Sequence, residues 1–569
     1  MYLFSILKSK SDLRIIKRFR ISGITLYHCI NKYLSLNTSE EMNRVLPIKN
    51  ELPSHFADRL GINYTKSVTP EHKKSHGQFF TPLQIAQMMV SLCDSDLSRI
   101  EILDPGCGTC ILSCCLIERL VEHNNRLKSI RLVAYETDTM LIPYSNQILE
   151  YLKEWLQSHD IDLVLELRET DFVLDNSATI SENGKLFDDS SEQYDMIISN
   201  PPYFKLSKDD KRTQAVMSFI SGQTNIYSLF MGISARLLKP FGQFIFITPR
   251  SFASGNYFKS FREKFFSEVQ IEKVHLFTSR RDTFNRDSVL QETVVIKAVK
   301  KKEDNPNVTI YSSHGLRDID SPSRIDFSHN DLMDPESTER FLFLPTSEFE
   351  ESILELVKSW SGNLREYNIQ ISTGPVVSFR AKDLISESIK NGNKNFTALY
   401  WLHNARKMQL NWPIHKQNKG QYIVVSQESY PILIPNKNYI FLRRFSSKDD
   451  KSRLIAAPYF RNFTESDYIG VENKLNYIYR KTGHLDRNEI VGLCALLNSD
   501  LFDTYFRMFN GNVNVSATEL RNMNFPPIDI IKEIGNNIIL LDNYSEEYAN
   551  DVVNQYFEVS ELLSTNEEN

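Results

Sequence analysis

Four short apolar runs, each ending in a polar or glycine-containing motif, follow one another at helix-sized spacing and constrain the fold more than any other feature of the chain. Apolar strands that alternate with helical segments form a mostly parallel sheet, and ligands bind where the carboxyl ends of such strands meet. The pattern predicts an α/β, Rossmann-like domain with the four motifs near one edge of the sheet. These motifs are Asp104-Pro105-Gly106-Cys107-Gly108, Tyr135-Glu136-Thr137-Asp138, Glu169-Thr170-Asp171-Phe172 and Asn200-Pro201-Pro202-Tyr203.

The first three motifs indicate a nucleoside pocket. Gly106 and Gly108, which follow the strand that ends at Asp104, allow the backbone to pass close to a ligand, in front of a helix predicted over residues 111–120. Asp104, Gly106 and Gly108 are therefore candidate cofactor-binding residues. Glu136 lies where a carboxylate chelates ribose hydroxyls in nucleoside-binding βαβ units. A carboxylate and a ring at Asp171 and Phe172 suit the amino group and the face of an adenine. Taken singly, each motif is also typical of an ordinary strand end.

The fourth motif predicts methyl transfer to a planar amine. An exocyclic amine shares its lone pair with the ring, so hydrogen-bond acceptors must activate it rather than a base. The side-chain oxygen of Asn200 and the carbonyl of Pro201, braced by the fixed φ angles of Pro201 and Pro202, are suited to accept both N–H bonds. Tyr203 is then placed to stack on the base.

With these motifs in this order, the chain resembles the gamma-type, adenine-specific DNA methyltransferases of restriction-modification systems. The resemblance runs from about residue 76 to 527 and includes Gly77-Gln78-Phe79-Phe80-Thr81-Pro82. It implies that S-adenosyl-L-methionine is the cofactor, that Phe80 and Thr81 contact its methionine end, and that Phe284 covers the second face of an extruded adenine. It also implies a duplex DNA substrate, a carboxyl-terminal target recognition domain of α+β type, and a companion restriction endonuclease.

One position departs from the family pattern, which reads D-P-x-C-G-x-G where this chain has Cys110 in the last place. We expect cofactor binding to survive this change. The cysteines at 107, 110, 114 and 115 also leave open a zinc or iron–sulfur site, although the glycine turn between the first two is already needed for the nucleoside. The mechanism itself requires no metal.

The chain carries a formal net charge of −6, yet residues 401–481 are net positive by about eight and are interleaved with aromatic side chains. Local fields rather than net charge decide whether a surface binds nucleic acid. From this stretch we select Arg406, Lys407, Arg443 and Arg444 as candidates for DNA contacts. A solvated basic face without a partner remains the alternative.

The sequence predicts five segments. They are a basic, helical extension over residues 1–70, a catalytic domain over 71–305, a linker of little core over 306–345, a recognition domain over 346–545 and an acidic tail over 546–569. No run reaches the ~18 apolar residues of a membrane span, so we expect a soluble, cytoplasmic protein without a membrane partner. We also expect that residues before Met42 precede the true start.

Three other functions stay open at this point. The same pocket chemistry suits methylation of RNA or of a protein glutamine. The segment Pro70-Glu71-His72-Lys73 superficially offers a nuclease carboxylate and lysine, although too little chain precedes it to build a nuclease core. A third possibility is a DNA-binding specificity subunit without activity, for which Cys110 is the only support.

Overall fold

The structure is a computed structural model, and every structural statement below concerns the residues that it describes. These are residues 45–180, 192–217, 225–278, 293–301, 303–334, 336–389, 395–446 and 450–559. The N-terminal basic segment, the predicted start near Met42 and Phe284 lie outside them.

A nine-stranded sheet forms the first half of the chain, in the order β3-β2-β1-β4-β5-β7-β6-β8-β9. The first five strands in this order are parallel, and β7 runs antiparallel to both of its neighbours. The predicted α/β fold with a mostly parallel sheet is therefore confirmed. The strands are β1 (Arg99–Asp104), β2 (Ser129–Tyr135), β3 (Asp162–Arg168), β4 (Tyr194–Ser199), β5 (Leu238–Pro249), β6 (Gln270–Phe277), β7 (Thr293–Val299), β8 (Asn307–Ser313) and β9 (Ser323–Ser328).

Both faces of this sheet are covered. Neighbouring residues of β1, Ile102 and Leu103, belong to two different hydrophobic cores, because successive side chains of a strand point to opposite faces. Helices α1, α3, α4 and α5 pack on the Ile102 face, and α6, α8 and α9 pack on the Leu103 face. The helices are α1 (Pro53–Ser67), α2 (Pro70–His76), α3 (Leu83–Ser91), α4 (Ile111–His123), α5 (Ile142–Gln157), α6 (Phe172–Asp175), α7 (Lys211–Ala215), α8 (Ile226–Leu237) and α9 (Lys259–Glu268).

Two predicted boundaries differ from the structure around this domain. The linker predicted over 306–345 contains β8 and β9, whose Val308, Ile310 and Phe327 are buried in the core of the sheet. The extension predicted over 1–70 contains α1, whose Phe56 and Leu60 are buried in the other core. Both segments are short amphipathic elements between charged residues, so their composition alone resembles that of a linker or a leader.

The second half of the chain combines a helical layer with three small sheets, of orders β10-β20-β17-β18, β11-β15-β12-β19-β16 and β13-β14. This is the predicted α+β domain. Helix α10 (His329–Leu332) still packs in the core of the nine-stranded sheet through Leu332. The helices of the second domain are α11 (Glu348–Ser359), α12 (Arg487–Asn498), α13 (Asp500–Phe509), α14 (Ala517–Arg521), α15 (Ile528–Leu540) and α16 (Glu546–Tyr556). Its strands are β10 (Ile369–Thr373), β11 (Ile385–Ser386), β12 (Phe396–Tyr400), β13 (Ala405–Arg406), β14 (Gln409–Leu410), β15 (Tyr422–Val424), β16 (Leu433–Pro435), β17 (Tyr439–Arg443), β18 (Ala456–Tyr459), β19 (Tyr468–Val471) and β20 (Leu475–Arg480).

The acidic tail predicted over 546–569 is in part a packed helix. Helix α16 buries Ala549, Val552 and Val553 against the helical core, while its acidic residues face outward. An amphipathic helix with a charged outer face has the composition of a solvated tail, which explains the difference. No helix among the described residues is long and apolar enough to cross a membrane.

Candidate active site

A cavity of about 240 Å³ opens at the carboxyl edge of the sheet, where the predicted motifs meet. Its walls include Gly106, Glu136, Asp171 and Asn200, which follow β1, β2, β3 and β4 respectively. Phe80 and Thr81, which lie before β1 in the sequence, form a further part of the cavity wall. The structure therefore brings residues from all four strand ends and from the preceding segment into one site.

The glycine turn after β1 leaves room for a ligand at the cost of unusual backbone angles. Gly108 has a φ of +53°, and a Cβ built there would lie 3.5 Å from the ring of Phe80. Cys110 also has a positive φ, of 56°, in the left-handed region that costs a non-glycine residue about 1–2 kcal/mol. Its thiol is fully buried in the core and is not part of the cavity wall. The departure from the family's glycine therefore strains the turn without blocking the pocket.

Asp104, a candidate cofactor contact, instead lies directly behind this turn and is not part of the cavity wall, because its side chain points into the core. Its side chain is completely buried, and its Oδ2 accepts a hydrogen bond from the hydroxyl of Ser113 at 2.7 Å. Among the described residues, no side chain donates a hydrogen bond to its Oδ1. Burial raises the pKa of Asp104 to about 7, although Ser113 and the backbone of Gly106 oppose the shift.

Glu136 holds the other side of the turn. Its Oε2 accepts a hydrogen bond from the backbone N–H of Gly108 at 3.1 Å, and its Oε1 accepts the backbone N–H groups of Thr137 and Asp138, each at 2.8 Å. Burial raises the pKa of Glu136 despite these three donors. The carboxylate lines the cavity in a position suited to paired hydroxyl donors of a ligand.

Asp138 ties the amino-terminal segment to the sheet, a role that the sequence motifs did not reveal. Its Oδ2 accepts hydrogen bonds from Tyr64, from His72 at 2.9 Å and from the amide of Gln78 at 2.6 Å. Burial alone would raise the pKa of Asp138, but these donors lower it to about 2. The charged carboxylate thus anchors α1, α2 and the segment that carries Phe80.

Asp171 and Phe172 stand at the far end of the cavity. Asp171 caps α6 by accepting the backbone N–H of Leu174 at 3.0 Å, and Arg212 approaches its other oxygen at 3.6 Å. The ring of Phe172 is buried edge-on against Tyr135. One carboxylate oxygen of Asp171 therefore accepts the hydrogen bond that caps α6, and the other lies near the guanidinium of Arg212.

The amide of Asn200 is oriented by the amino-terminal segment. Its Nδ2 donates hydrogen bonds to the carbonyl of Phe79 at 2.8 Å and to the hydroxyl oxygen of Thr81 at 3.0 Å. Its Oδ1 accepts a hydrogen bond from the hydroxyl of Tyr203 at 2.5 Å. A carboxamide oxygen accepts two hydrogen bonds, so one acceptor position of Oδ1 remains.

The side chain of Tyr203 is fixed by four contacts. It stacks on Phe79 with ring centroids 5.6 Å apart, meets Tyr227 edge-on, and donates its hydroxyl to the carbonyl of Ile247 at 3.0 Å as well as to Asn200. Burial raises its pKa well above the ordinary value, so the hydroxyl stays protonated and keeps donating. Phe79 belongs to the motif from Gly77 to Pro82, but its contact with Tyr203 was not predicted, because no local pattern shows which distant ring an aromatic residue stacks on.

The positions of the cysteines and histidines test whether the chain has a metal site. The ligand atoms of His72, His76 and Asp138 lie within 4.8 Å of one another, the only such group of three in the part of the chain described. The cysteines of the glycine turn do not form one, and burial raises the pKa of Cys114 and Cys115. These thiols pack in the core rather than face a shared centre.

The four basic residues selected for DNA contacts differ in their surroundings. Arg406 is exposed, whereas Lys407 forms an ion pair with Glu546 of α16 at 2.7 Å. Arg443 donates to the carbonyl of Ala405 at 2.8 Å, and Arg444 donates to the carbonyl of Asn473 at 3.1 Å. Three of them are therefore partly engaged in holding loops of the second domain.

Further cations complete this surface around His403. The charges of Lys416, Lys419 and Arg443 all lower the pKa of His403, after burial, which is the largest cause. Lys419 also lies over the ring of Trp401 at 4.4 Å from its centroid. The second domain therefore carries a cluster of neighbouring positive charges, one of which lies over the buried ring of Trp401.

Comparisons with known proteins match most of the chain. The family model described as Eco57I restriction-modification methylase matches residues 110–284. The Type II methyltransferase M.PstI of Providencia stuartii is 29% identical over 480 residues, which cover 84% of this chain and 92% of the relative. M.BsuBI of Bacillus subtilis is 30% identical over 471 residues, which cover 82% of this chain and 91% of the relative. Among solved structures, a DrdV–DNA complex covers 94% of this chain and 63% of its own, with 15% identity and a TM-score of 0.44.

Proposed function

The chain belongs to the Type II DNA methyltransferases of restriction-modification systems, and from that premise we propose that it methylates the exocyclic amine of an adenine extruded from duplex DNA. The methyl donor in this proposal is S-adenosyl-L-methionine. The observation that carries the proposal is the orientation of Asn200, whose nitrogen is held by two acceptors and whose oxygen keeps one acceptor position for an amine beside its bond from Tyr203.

The residues of the cavity fit this cofactor. Gly108 lines the cavity with a φ of +53°, a conformation that glycine adopts readily, and its lack of a side chain suits a ligand that lies against the backbone. Glu136 offers a carboxylate for the ribose hydroxyls, and Asp171 with Phe172 offers a carboxylate and an apolar wall for the adenine. Phe80 and Thr81 close the methionine end. When bound, the cofactor supplies an electrophilic methyl group on a sulfonium.

Asn200 and Pro201 then raise the nucleophilicity of the target amine. The free acceptor position of Asn200 Oδ1 and the carbonyl of Pro201 take the two N–H bonds, which draws the nitrogen toward tetrahedral geometry and releases its lone pair from the ring. The two prolines fix the carbonyl in place. The protein provides alignment and acceptors, and no nucleophilic side chain takes part.

The target base must leave the duplex to reach this site, because its amine is paired inside the helix. We assign Tyr203 to one face of the extruded adenine and Phe284 to the other, the second assignment resting on the family resemblance alone. Since Phe79 already covers one face of Tyr203, the base stacks on the opposite face.

The basic cluster of the second domain favours duplex DNA over a protein glutamine as the substrate. Arg406, Arg443 and Lys416 lie close together on a domain that the cavity itself does not require. Clustered cations neutralise phosphates and make binding depend on salt, whereas a peptide glutamine gains nothing from them. A companion restriction endonuclease acting at the same sequence is part of the proposal.

The experiment is to express the chain in cells that lack DNA methylation and to map modified bases at single-base resolution. We expect N6-methyladenine at every copy of one short sequence and at no other adenine. Modified cytosine, or DNA without modification while RNA or protein is methylated, would refute the proposed substrate. The mapped sequence then provides the duplex for the assays below.

A further inference from the structure

We propose that His72, His76 and Asp138 bind one divalent transition-metal ion, for which zinc is the best match, at the border of the cofactor cavity. A ligand atom of each side chain lies within 4.8 Å of the ligand atoms of the other two. Zinc sites with three protein ligands combine histidine nitrogens with a carboxylate oxygen and leave a fourth position to water or another ligand. The site itself goes beyond the proposed function, and only its effect on the cofactor rests on that function.

The two histidines lie on one face of a helix. His72 and His76 are four residues apart on α2, a spacing that places both side chains one above the other. The centroids of their rings are 4.4 Å apart. Two histidines at this spacing are a recurring way in which a helix holds zinc. The third ligand, Asp138, comes from the loop after β2, so the site joins two segments that are distant in the sequence.

The hydrogen bonds of His76 leave one of its ring nitrogens free to bind a metal. Its Nδ1 lies 3.0 Å from the backbone carbonyl of His72, and because a carbonyl only accepts, Nδ1 carries the proton. The hydroxyl oxygen of Ser75, 3.2 Å from the same nitrogen, can share that proton. The neutral ring then has its lone pair on Nε2. Metal-bound histidines are commonly oriented in this way, by a hydrogen bond from the other ring nitrogen to a carbonyl or carboxylate.

The carboxylate of Asp138 is oriented by donors that a metal would not displace. Its Oδ2 accepts hydrogen bonds from Tyr64 and Gln78 and lies 2.9 Å from Nε2 of His72. A metal ion between that nitrogen and Oδ2 replaces only the proton that the two atoms share, which moves to Nδ1 of the same ring or to water. Oδ2 therefore keeps the same number of partners, and the two other donors keep the carboxylate in place.

Burial and charge at the site favour a divalent cation. The side chain of Asp138 is 2% exposed and that of His72 is 24% exposed, so a bound ion is shielded from water but can enter from solvent. The charges of Asp138 and Glu136 act on one another, so a second carboxylate adds to the negative potential there. Imidazole nitrogens favour zinc over magnesium and calcium, which prefer oxygen ligands.

The position of the site predicts that zinc increases cofactor affinity. His76 and Gln78 line the cofactor cavity, and Glu136, two residues before Asp138, lines it as well. A metal that joins α2 to the loop after β2 therefore fixes two parts of the cavity wall relative to each other. Fixing them before the cofactor arrives removes part of the cost of ordering them when it binds.

The test measures zinc binding to the full chain after a chelator has removed any metal. Titration calorimetry with zinc chloride gives the stoichiometry and affinity, and cobalt in place of zinc reports its coordination through visible absorption. His76→Ala removes one ligand but none of the side chains that donate to Asp138, so the variant should fold, which urea unfolding checks. His72→Ala removes the second histidine.

His159→Ala is the matched control. The Nδ1 of His159 also bonds the carbonyl four residues earlier, that of Trp155, and the two rings are 4.3 Å apart between centroids. Within the described ranges, His159 belongs to no group of three metal-binding side chains. The control therefore removes an imidazole in similar local surroundings without touching the proposed site.

We expect one equivalent of zinc to bind the wild type and His159→Ala with equal affinity, and the affinity to fall at least about a hundredfold in His76→Ala and His72→Ala. Zinc should lower the Kd for S-adenosyl-L-methionine about fivefold in the wild type and the control and leave it unchanged in His76→Ala.

Equal zinc affinity in all four proteins, or no zinc binding to the wild type, would overturn the site. A cofactor Kd that zinc does not change in the wild type would overturn its effect on the cavity. Failure of the proposed function is distinct, because the wild type would then bind zinc as expected but would not methylate adenine.

Discussion

The side-chain nitrogen of Asn200 donates a hydrogen bond to the hydroxyl oxygen of Thr81 at 3.0 Å. This bond joins the segment before β1 to the segment after β4. The segment that closes the cavity therefore also orients the amide to which we assign activation of the target amine. In the proposed reaction, cofactor binding and activation of the target amine thus depend on the same segment, and variants of Thr81 can separate the two effects.

Thr81→Val removes the acceptor while keeping the shape of the side chain. Asn200 then keeps only the carbonyl of Phe79 as a partner for its nitrogen, and its oxygen is less firmly directed. We expect kcat to fall about tenfold, the equivalent of one hydrogen bond, with a smaller change in cofactor affinity. Thr81→Ser keeps the hydroxyl and serves as the control. Single-turnover methylation of the mapped duplex measures the effect, and equal rates for the two variants would contradict the account.

Asp138→Asn tests the anchor of the amino-terminal segment. The variant cannot accept from Tyr64, His72 and Gln78 as a carboxylate does, so the segment that carries Phe80 is less firmly held. We expect the Kd for S-adenosyl-L-methionine, measured by calorimetry, to rise about tenfold. Asp96→Asn, at a carboxylate whose side chain is 86% exposed, should leave it unchanged. An unchanged Kd for both variants would show that Asp138 does not anchor the segment that carries Phe80.

Asp138 should also contribute to stability in a defined range of pH. Its pKa is lowered to about 2 in the folded protein, below the value of about 3.9 in an unfolded chain. The stabilisation is therefore complete above about pH 4 and is lost as the pH falls toward 2. We expect the difference in free energy of unfolding between wild type and Asp138→Asn to shrink over this interval. A constant difference would contradict the assigned pKa.

Asp104 should behave in the opposite sense. Its pKa is raised to about 7 when folded, so between about pH 4 and 7 the unfolded chain has released a proton that the folded protein keeps. Stability falls across this window, by about 4 kcal/mol in total. Urea unfolding at pH 5 and 8 should show that Asp104→Asn lacks this loss. If the wild type and the variant have the same pH dependence, the carboxyl is not titrating as described.

Cys110→Gly and Cys110→Ala separate backbone strain from the thiol. Both variants remove the sulfur, but only glycine relieves the positive φ, so the glycine variant should be more stable than the alanine variant by about 1 kcal/mol. Because the thiol does not line the cavity, cofactor affinity should stay within about twofold of wild type in both. Denaturant unfolding and cofactor titration provide the two readouts. A large gain in affinity with glycine would mean that Cys110 does obstruct the site.

The strand ends of the catalytic domain could be predicted because each apolar run is followed by a motif that contains glycine, proline or a carboxylate. The structure places Gly106, Glu136, Asp171 and Asn200 around one cavity, as expected from parallel strands that share a carboxyl edge. Helix α4 begins at Ile111 as predicted and continues to His123.

Other features depended on contacts that no local pattern contains. Strands β8 and β9 lie at the edge of the sheet with polar outer faces, so residues 307–328 have the composition of a linker. Asp138 was visible next to Glu136, but its partners Tyr64 and His72 come from helices that precede β1 by many residues. Among the basic residues, the ion pair between Lys407 and Glu546 required knowledge of where α16 packs.

The role of Asn200 in activating the adenine amine is tested by nucleoside analysis of duplex DNA incubated with labelled S-adenosyl-L-methionine and either wild type or Asn200→Ala. The account predicts labelled N6-methyladenine from the wild type and a loss of at least about a thousandfold in the variant, because the acceptor that activates the amine is gone. Cofactor affinity of the variant should fall only modestly, through the lost contacts to Phe79 and Thr81. Label in cytosine, or a variant that methylates adenine at the wild-type rate, would contradict the account.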